Sequence, residues 1–176
     1  MVSKVLVASA FGLALCAGSF GFAAPARAEI MSYSATGFVR HCPCVEDGTQ
    51  ESDTQAGVVQ MTGQFSTFYA AVDFPKDGQK VCSVSLVYRD VNANDPIKAR
   101  LYKKTFTSGG AAFAAPVLMA TATSAAGTPD TVRIAKTTVI NQPSIAQGSA
   151  FYYLLVDAPT INLAFLGVQI DVKGTC

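Results

Sequence analysis

Tryptophan is missing from this chain altogether, histidine occurs once, and only 14% of the residues are charged. Each shortage narrows what the protein can do. With His41 as the sole imidazole, a Ser–His–Asp or Cys–His arrangement has one candidate base. There is no G-x-S-x-G turn, no H-E-x-x-H pair and no glycine-rich phosphate loop, so those three chemistries find no support. No segment after Glu29 carries a 3.6-residue apolar period, which argues against a helical domain. A balance of 13 Lys plus Arg against 12 Asp plus Glu gives no electrostatic reason to expect nucleic acid as a partner.

What the chain does have begins at its start. Lys4 supplies a positive charge, residues 5–16 are apolar, and Ala26-Arg27-Ala28 is an A-x-A cleavage site. Residues 1–28 therefore read as a secretory signal peptide that is cleaved, with 29–176 as the mature β-domain. The run over 5–24 approaches the length of a membrane span, but it is rich in Gly, Ala and Ser and ends in that cleavage site. No transmembrane anchor is then expected after cleavage, and the expected location is secreted or periplasmic. Losing Lys4 and Arg27 takes Lys plus Arg from 13 to 11 against 12 acids, for a net charge of −1.

Four cysteines follow the leader: Cys42, Cys44, Cys82 and Cys176. An even number in an exported chain points to two disulfides. One residue separates Cys42 from Cys44, and a ring that small is strained. The expectation is that one of this pair joins Cys82 and the other joins Cys176. Each bridge would contribute about 3–5 kcal/mol through loop closure in the unfolded chain.

Period-two alternation dominates the remainder. Residues 80–89 put Cys82, Val84, Leu86 and Tyr88 on one face, a good setting for a buried disulfide. Residues 97–104 bury Ile97, Ala99 and Leu101 and expose Lys98, Arg100, Tyr102 and Lys104. The turn-rich segment 90–96 between them makes the pair read as a hairpin. Further strands are expected over 36–41, 58–61, 65–74, 117–123, 131–140, 150–156 and 161–172. The polar stretch 45–55 and the Gly-rich stretch 107–112 read as loops. About eight or nine short strands with frequent turns predict an all-β fold: a single disulfide-stapled antiparallel β-sandwich, jelly-roll-like or immunoglobulin-like.

Several groups could carry chemistry. Asp90, Asn92, Asn94 and Asp95 place oxygen ligands along a tight loop, a pattern that can hold calcium. The EF-hand register fails, because its sixth position is Asp95 and its twelfth is Leu101, and a turn held by Asn and Asp side chains is the simpler account of the loop. His41, Cys42 and Cys44 could ligate zinc or copper, against which stands an oxidising compartment. The stripe Lys98, Arg100, Tyr102 is the candidate ligand-binding surface, since basic residues interleaved with an aromatic can contact anionic polysaccharide or nucleic acid; lysines on a strand's solvent face also discourage edge-to-edge aggregation, which is the simpler account. The near-neutral charge leaves an unknown glycan or protein as the expected partner. In residues 150–156, Tyr152 turns outward if Phe151 and Tyr153 face the core. The leading functional reading is an exported, non-catalytic binding or assembly module. The alternatives are a small extracytoplasmic hydrolase acting on carbohydrate through loop carboxylates, and a purely structural envelope subunit. A homo-oligomer is compatible with any of them.

Overall fold

Alternating apolar and polar residues build two antiparallel sheets packed face to face. The computed structural model describes residues 28–40, 50–53, 58–61, 66–90, 94–107, 112–125, 131–159 and 163–176. The leader up to residue 27, His41, Cys42, Cys44 and Asn92 lie outside the described residues, and so do the expectations attached to them. In chain order the strands are β1 (Glu29–Ser34), β2 (Val39–Arg40), β3 (Gln50–Asp53), β4 (Val58–Met61), β5 (Ser66–Val72) and β6 (Lys80–Asp90). Then come β7 (Lys98–Thr105), β8 (Val117–Thr123), β9 (Arg133–Thr137), β10 (Ala150–Ala158) and β11 (Leu163–Lys173). One sheet runs β3-β4-β11-β6-β9, with β1 also paired to β11; the other runs β2-β5-β10-β7-β8. The expected all-β sandwich is the observed fold.

In the first sheet β11 is the axis. Along one side it pairs with β6 from Leu163 to Lys173. Its other side is shared: β4 meets Ala164 and Phe165, and β1 runs beside Gly167 to Val172. Gly167 is required here, because a Cβ would stand 2.5 Å from the Tyr33 carbonyl oxygen. Between the sheets, Phe165 takes Phe38 edge-on at 4.8 Å and Phe68 at 6.5 Å, among buried Leu86, Leu101, Leu154 and Ile170. Interlocked rings of this kind add to the burial that drives folding.

Four expectations need correction. First, β6 and β7 are not a hairpin, for they belong to opposite sheets and the segment between them crosses the sandwich. Turn residues tell where a strand stops, not which sheet the chain enters next. The β7–β8 pair, by contrast, is a hairpin across the Gly-rich stretch. Second, the polar stretch 45–55 contains β3, which Gln50–Asp53 form by pairing with β4. Ladder bonds are made by backbone, so polar composition does not prevent them. Third, Cys82 bonds to Cys176, 94 residues away with Cα atoms 5.4 Å apart, and neither joins the Cys42/Cys44 pair. The register explains it: Lys80 faces Lys173 across the β6–β11 ladder, so the chain end emerges beside Cys82. Fourth, the disulfide is not buried. A register shift between Asp171 and Val172 puts Val81 and Val84 both in the core, leaving Cys82 half-buried and Cys176 exposed.

Closing so long a loop should stabilise the sandwich by about 4–5 kcal/mol in the chain-entropy account. Replacing Cys82 and Cys176 by Ser is expected to lower the unfolding free energy by about 2–5 kcal/mol in urea titrations, with the β signature in circular dichroism retained at zero denaturant. An alkaline limit is expected too. Burial of the Tyr33 phenol raises its pKa from 10.0 to about 12, with a backbone hydrogen bond from Asp73 opposing and the Asp73 charge reinforcing the rise. The folded chain then holds this proton more tightly than the unfolded one, so the contribution is full below about pH 10 and is lost as pH rises through about 12. Tyr33→Phe should lessen the fall in melting temperature across that window.

Candidate functional site

The strand β10 decides which residues face solvent. Tyr152, Leu154, Val156 and Ala158 point into the core, so Phe151, Tyr153, Leu155 and Asp157 lie on the outer face. The condition under which Tyr152 would turn outward is not met, for Tyr152 is 3% exposed and Phe151 is 38% exposed. The reason is local: the Tyr152 hydroxyl accepts the Ala146 N–H at 2.7 Å, and its ring meets Phe74 edge-on at 4.9 Å. Tyrosine is tolerated inside because its polar end is satisfied.

Neighbouring strands extend the outer face in register. On β5, Thr67 faces Asp157, Tyr69 faces Leu155 and Ala71 faces Tyr153. On β7, Lys98 faces Asp157, Arg100 faces Leu155, Tyr102 faces Tyr153 and Lys104 faces Phe151. Large side chains at Tyr69, Phe151 and Tyr153 flank the small Ala71 and the lower Leu155. The result is an open groove of about 420 Å³ lined by these five residues together with Ala70 and Tyr152. Its lining is largely apolar, as ligand grooves tend to be.

Aromatic contacts continue beyond the groove. Tyr102 stacks on Tyr153 at 5.2 Å, Phe151 lies 6.3 Å from Tyr153, and Phe113 meets Phe151 edge-on at 5.3 Å. Phe106 joins Phe113 at 5.2 Å across the base of the β7–β8 hairpin. Phe106 is 43% and Phe113 50% exposed, so these rings form a surface and not a core. The Lys104 ammonium sits 4.8 Å from the Phe113 ring centre and 5.8 Å from that of Phe151.

The opposite end of the face is polar. Arg100 donates to one Asp157 oxygen and pairs with it, while the Thr67 hydroxyl donates to the other at 3.1 Å. Near the middle, the Tyr153 phenol is pushed above its usual range by burial first, then by the neighbouring Tyr102 and Tyr69 hydroxyls. Three phenols thus share one neighbourhood.

Lys98, Arg100 and Tyr102, expected as a ligand stripe, do lie on one face, although Arg100 is engaged by Asp157. The expectation passed over Tyr69, Phe151 and Tyr153, which make the groove. The pattern Thr67, Tyr69, Ala71 in β5 was the available signal. The calcium expectation falls on a different part of the fold. There Asp90 is fully buried and accepts a bond from the Ser124 hydroxyl, and Ser124 Oγ accepts the Ile97 N–H at 2.8 Å. Asn94 is exposed and Asp95 half-buried. Among the described residues no three His, Cys, Asp or Glu side chains gather as a metal cluster.

No family profile matches the chain, and no curated protein matches it in sequence. Solved structures with a similar sandwich include the C-terminal CBM6 of LamC, a marine laminarinase from Zobellia galactanivorans. It is 14% identical, with 81% of this chain and 98% of that one covered at a TM-score of 0.47. The xylan-binding module CBM15 is 11% identical, with 82% and 96% covered at 0.46. A family 11 carbohydrate-binding module from Clostridium thermocellum is 11% identical, with 85% and 95% covered at 0.44. At such identities and scores the likeness does not assign a ligand.

The Asp90–Ser124–Ile97 bonds fasten the crossover between the sheets. Ser124→Ala is therefore expected to cost about 1–3 kcal/mol in denaturant titration, the penalty for disrupting a buried polar set. A fastening role also predicts that EDTA leaves the melting temperature of the wild-type protein unchanged; a chelator-induced drop would favour bound calcium.

Proposed function

We propose that the protein is an exported, non-catalytic binding module whose β5–β10–β7 face takes a glycan chain. The observation that carries this reading is the groove walled by Tyr69, Phe151 and Tyr153 over Ala71 and Leu155. Pyranose rings present flat C–H faces that pack on aromatic rings, while their rim of hydroxyls needs hydrogen-bond partners. Tyrosine meets both needs, with an apolar body and a polar tip. Thr67, Arg100 and Asp157 supply further donors and acceptors at the polar end.

One observation favours binding over catalysis, and two favour export over retention. Among the outward positions of β5, β7 and β10, Asp157 is the one carboxylate, and it is already held by Arg100 and Thr67. Glycoside hydrolysis by the usual route takes two carboxyl groups flanking the bond. The Cys82–Cys176 disulfide fits an oxidising compartment, and β1 begins at Glu29, the first residue after the expected cleavage site. Among the described residues no helix is long and apolar enough to cross a membrane.

Affinity electrophoresis through a panel of soluble polysaccharides tests the proposal. At least one polysaccharide should retard the wild-type protein, and Tyr69→Ala or Tyr153→Ala should weaken that binding about tenfold, roughly 1.4 kcal/mol. Both variants should stay folded, with melting temperatures lowered only modestly through the lost ring contacts, because both side chains stand on the outer face and not in the core. Failure of every polysaccharide to retard the folded protein, or retardation indifferent to both substitutions, would overturn the reading.

A further inference from the structure

Lys104 stands out among the cations of the aromatic face. Arg100 is paired with Asp157, and Lys98 lies directly across the ladder from that same carboxylate. Lys104 has no carboxylate partner among the described residues; its ammonium is held instead by Phe113 and Phe151. A ring quadrupole attracts the ammonium and fixes its position without neutralising its charge. The rings are not buried by this contact, since Phe113 stays 50% and Phe151 38% exposed.

Phe151 belongs to two features at once, because it walls the groove and touches the cation. A ligand lying on the Phe151–Tyr153 wall therefore meets an apolar ring face and, at its edge, a positioned positive charge. The complementary chemistry is a sugar with a C–H face and an anionic substituent on its rim. The three strands agree: at their outward positions Lys98, Arg100 and Lys104 stand against Asp157 alone, while the chain after residue 28 is net −1.

We propose that the glycan taken by this face is acidic, a uronic-acid polysaccharide whose carboxylate pairs with Lys104 while its ring packs on Phe151 and Tyr153. This rests on the glycan reading above. Pairing to a part-exposed cation should be weakened by salt and should contribute a modest share of the affinity.

The test uses polygalacturonate, its highly methyl-esterified form, alginate, and neutral xylan, with the disulfide-intact protein. Esterification removes the charge and keeps the sugar backbone. The expected result is binding to polygalacturonate or alginate that falls on esterification and at 0.5 M NaCl. Lys104→Gln should lose roughly fivefold and Lys104→Arg should retain most of the affinity. Equal binding of the charged and esterified forms, or an unchanged affinity in Lys104→Gln, overturns the acidic assignment. Binding of xylan alone, lost in Tyr153→Ala, overturns it while leaving the glycan reading intact. Retardation by none of the polymers overturns the acidic assignment, and the wider panel above then decides the glycan reading.

Discussion

The register of β10 between β5 and β7 is the constraint from which both the core and the aromatic outer face follow. Side chains alternate with a period of two, so a slip of one residue would exchange the two faces of the strand entirely. It would send Phe151, Tyr153 and Asp157 into the sandwich and expose Tyr152, Leu154 and Val156. Burying the Asp157 carboxylate away from Arg100 and Thr67 would be the costliest part of that exchange. Tyr152 opposes the slip from inside, through its bond from Ala146 and its packing on Phe74. Ladders on both sides hold the strand in the same setting. Forming the core therefore also lays out the groove.

The first sheet, built on β11, acts on the groove through the core. Phe68 is buried against Phe165, and its chain neighbour Tyr69 is a wall of the groove. Phe165 is in turn placed by β11, the strand that β6, β4 and β1 all grip and whose exit is tied by Cys82–Cys176. Packed interiors transmit displacement because they have few voids to absorb it. A wall supported this way is already ordered, which would lower the entropic cost of the proposed binding.

Much of this was legible in the residues, and the failures share a physical cause. Alternation in β7 was clear because Lys98, Arg100 and Lys104 mark its outward positions in charge. The bounds of β8, Val117–Thr123, were met as expected. In β10 the run from Phe151 to Val156 carries no charge, so local sequence could not assign its faces; the decision lies in Ala146 and Phe74, outside the strand. Sheet membership was hidden for the same reason. The segment 90–96 looks like a hairpin turn in sequence; its place between opposite sheets is set at long range, as in the buried Asp90–Ser124 bond between residues 34 apart. Cys82 found Cys176 through a ladder register that no spacing along the chain reveals. Local patterns gave strands; partners at long range gave their arrangement.

That same division explains why a uniform basic stripe in sequence becomes two different surfaces in three dimensions. Lys98, Arg100 and Lys104 occupy equivalent outward positions on one strand, yet their surroundings come from β10 and from the β7–β8 hairpin. At one end β10 supplies Asp157, and the charge of Arg100 is spent within the protein on a bonded cluster with Thr67. At the other end β10 supplies Phe151 and the hairpin supplies Phe113, which hold Lys104 while leaving its charge uncompensated. A ligand lying across Tyr153 and Tyr102 would meet these ends in a fixed order, hydrogen-bonding on one side and cationic on the other. Charge neutralised at Arg100 and retained at Lys104 thus gives the face a direction, which a stripe of three equally solvated cations would lack.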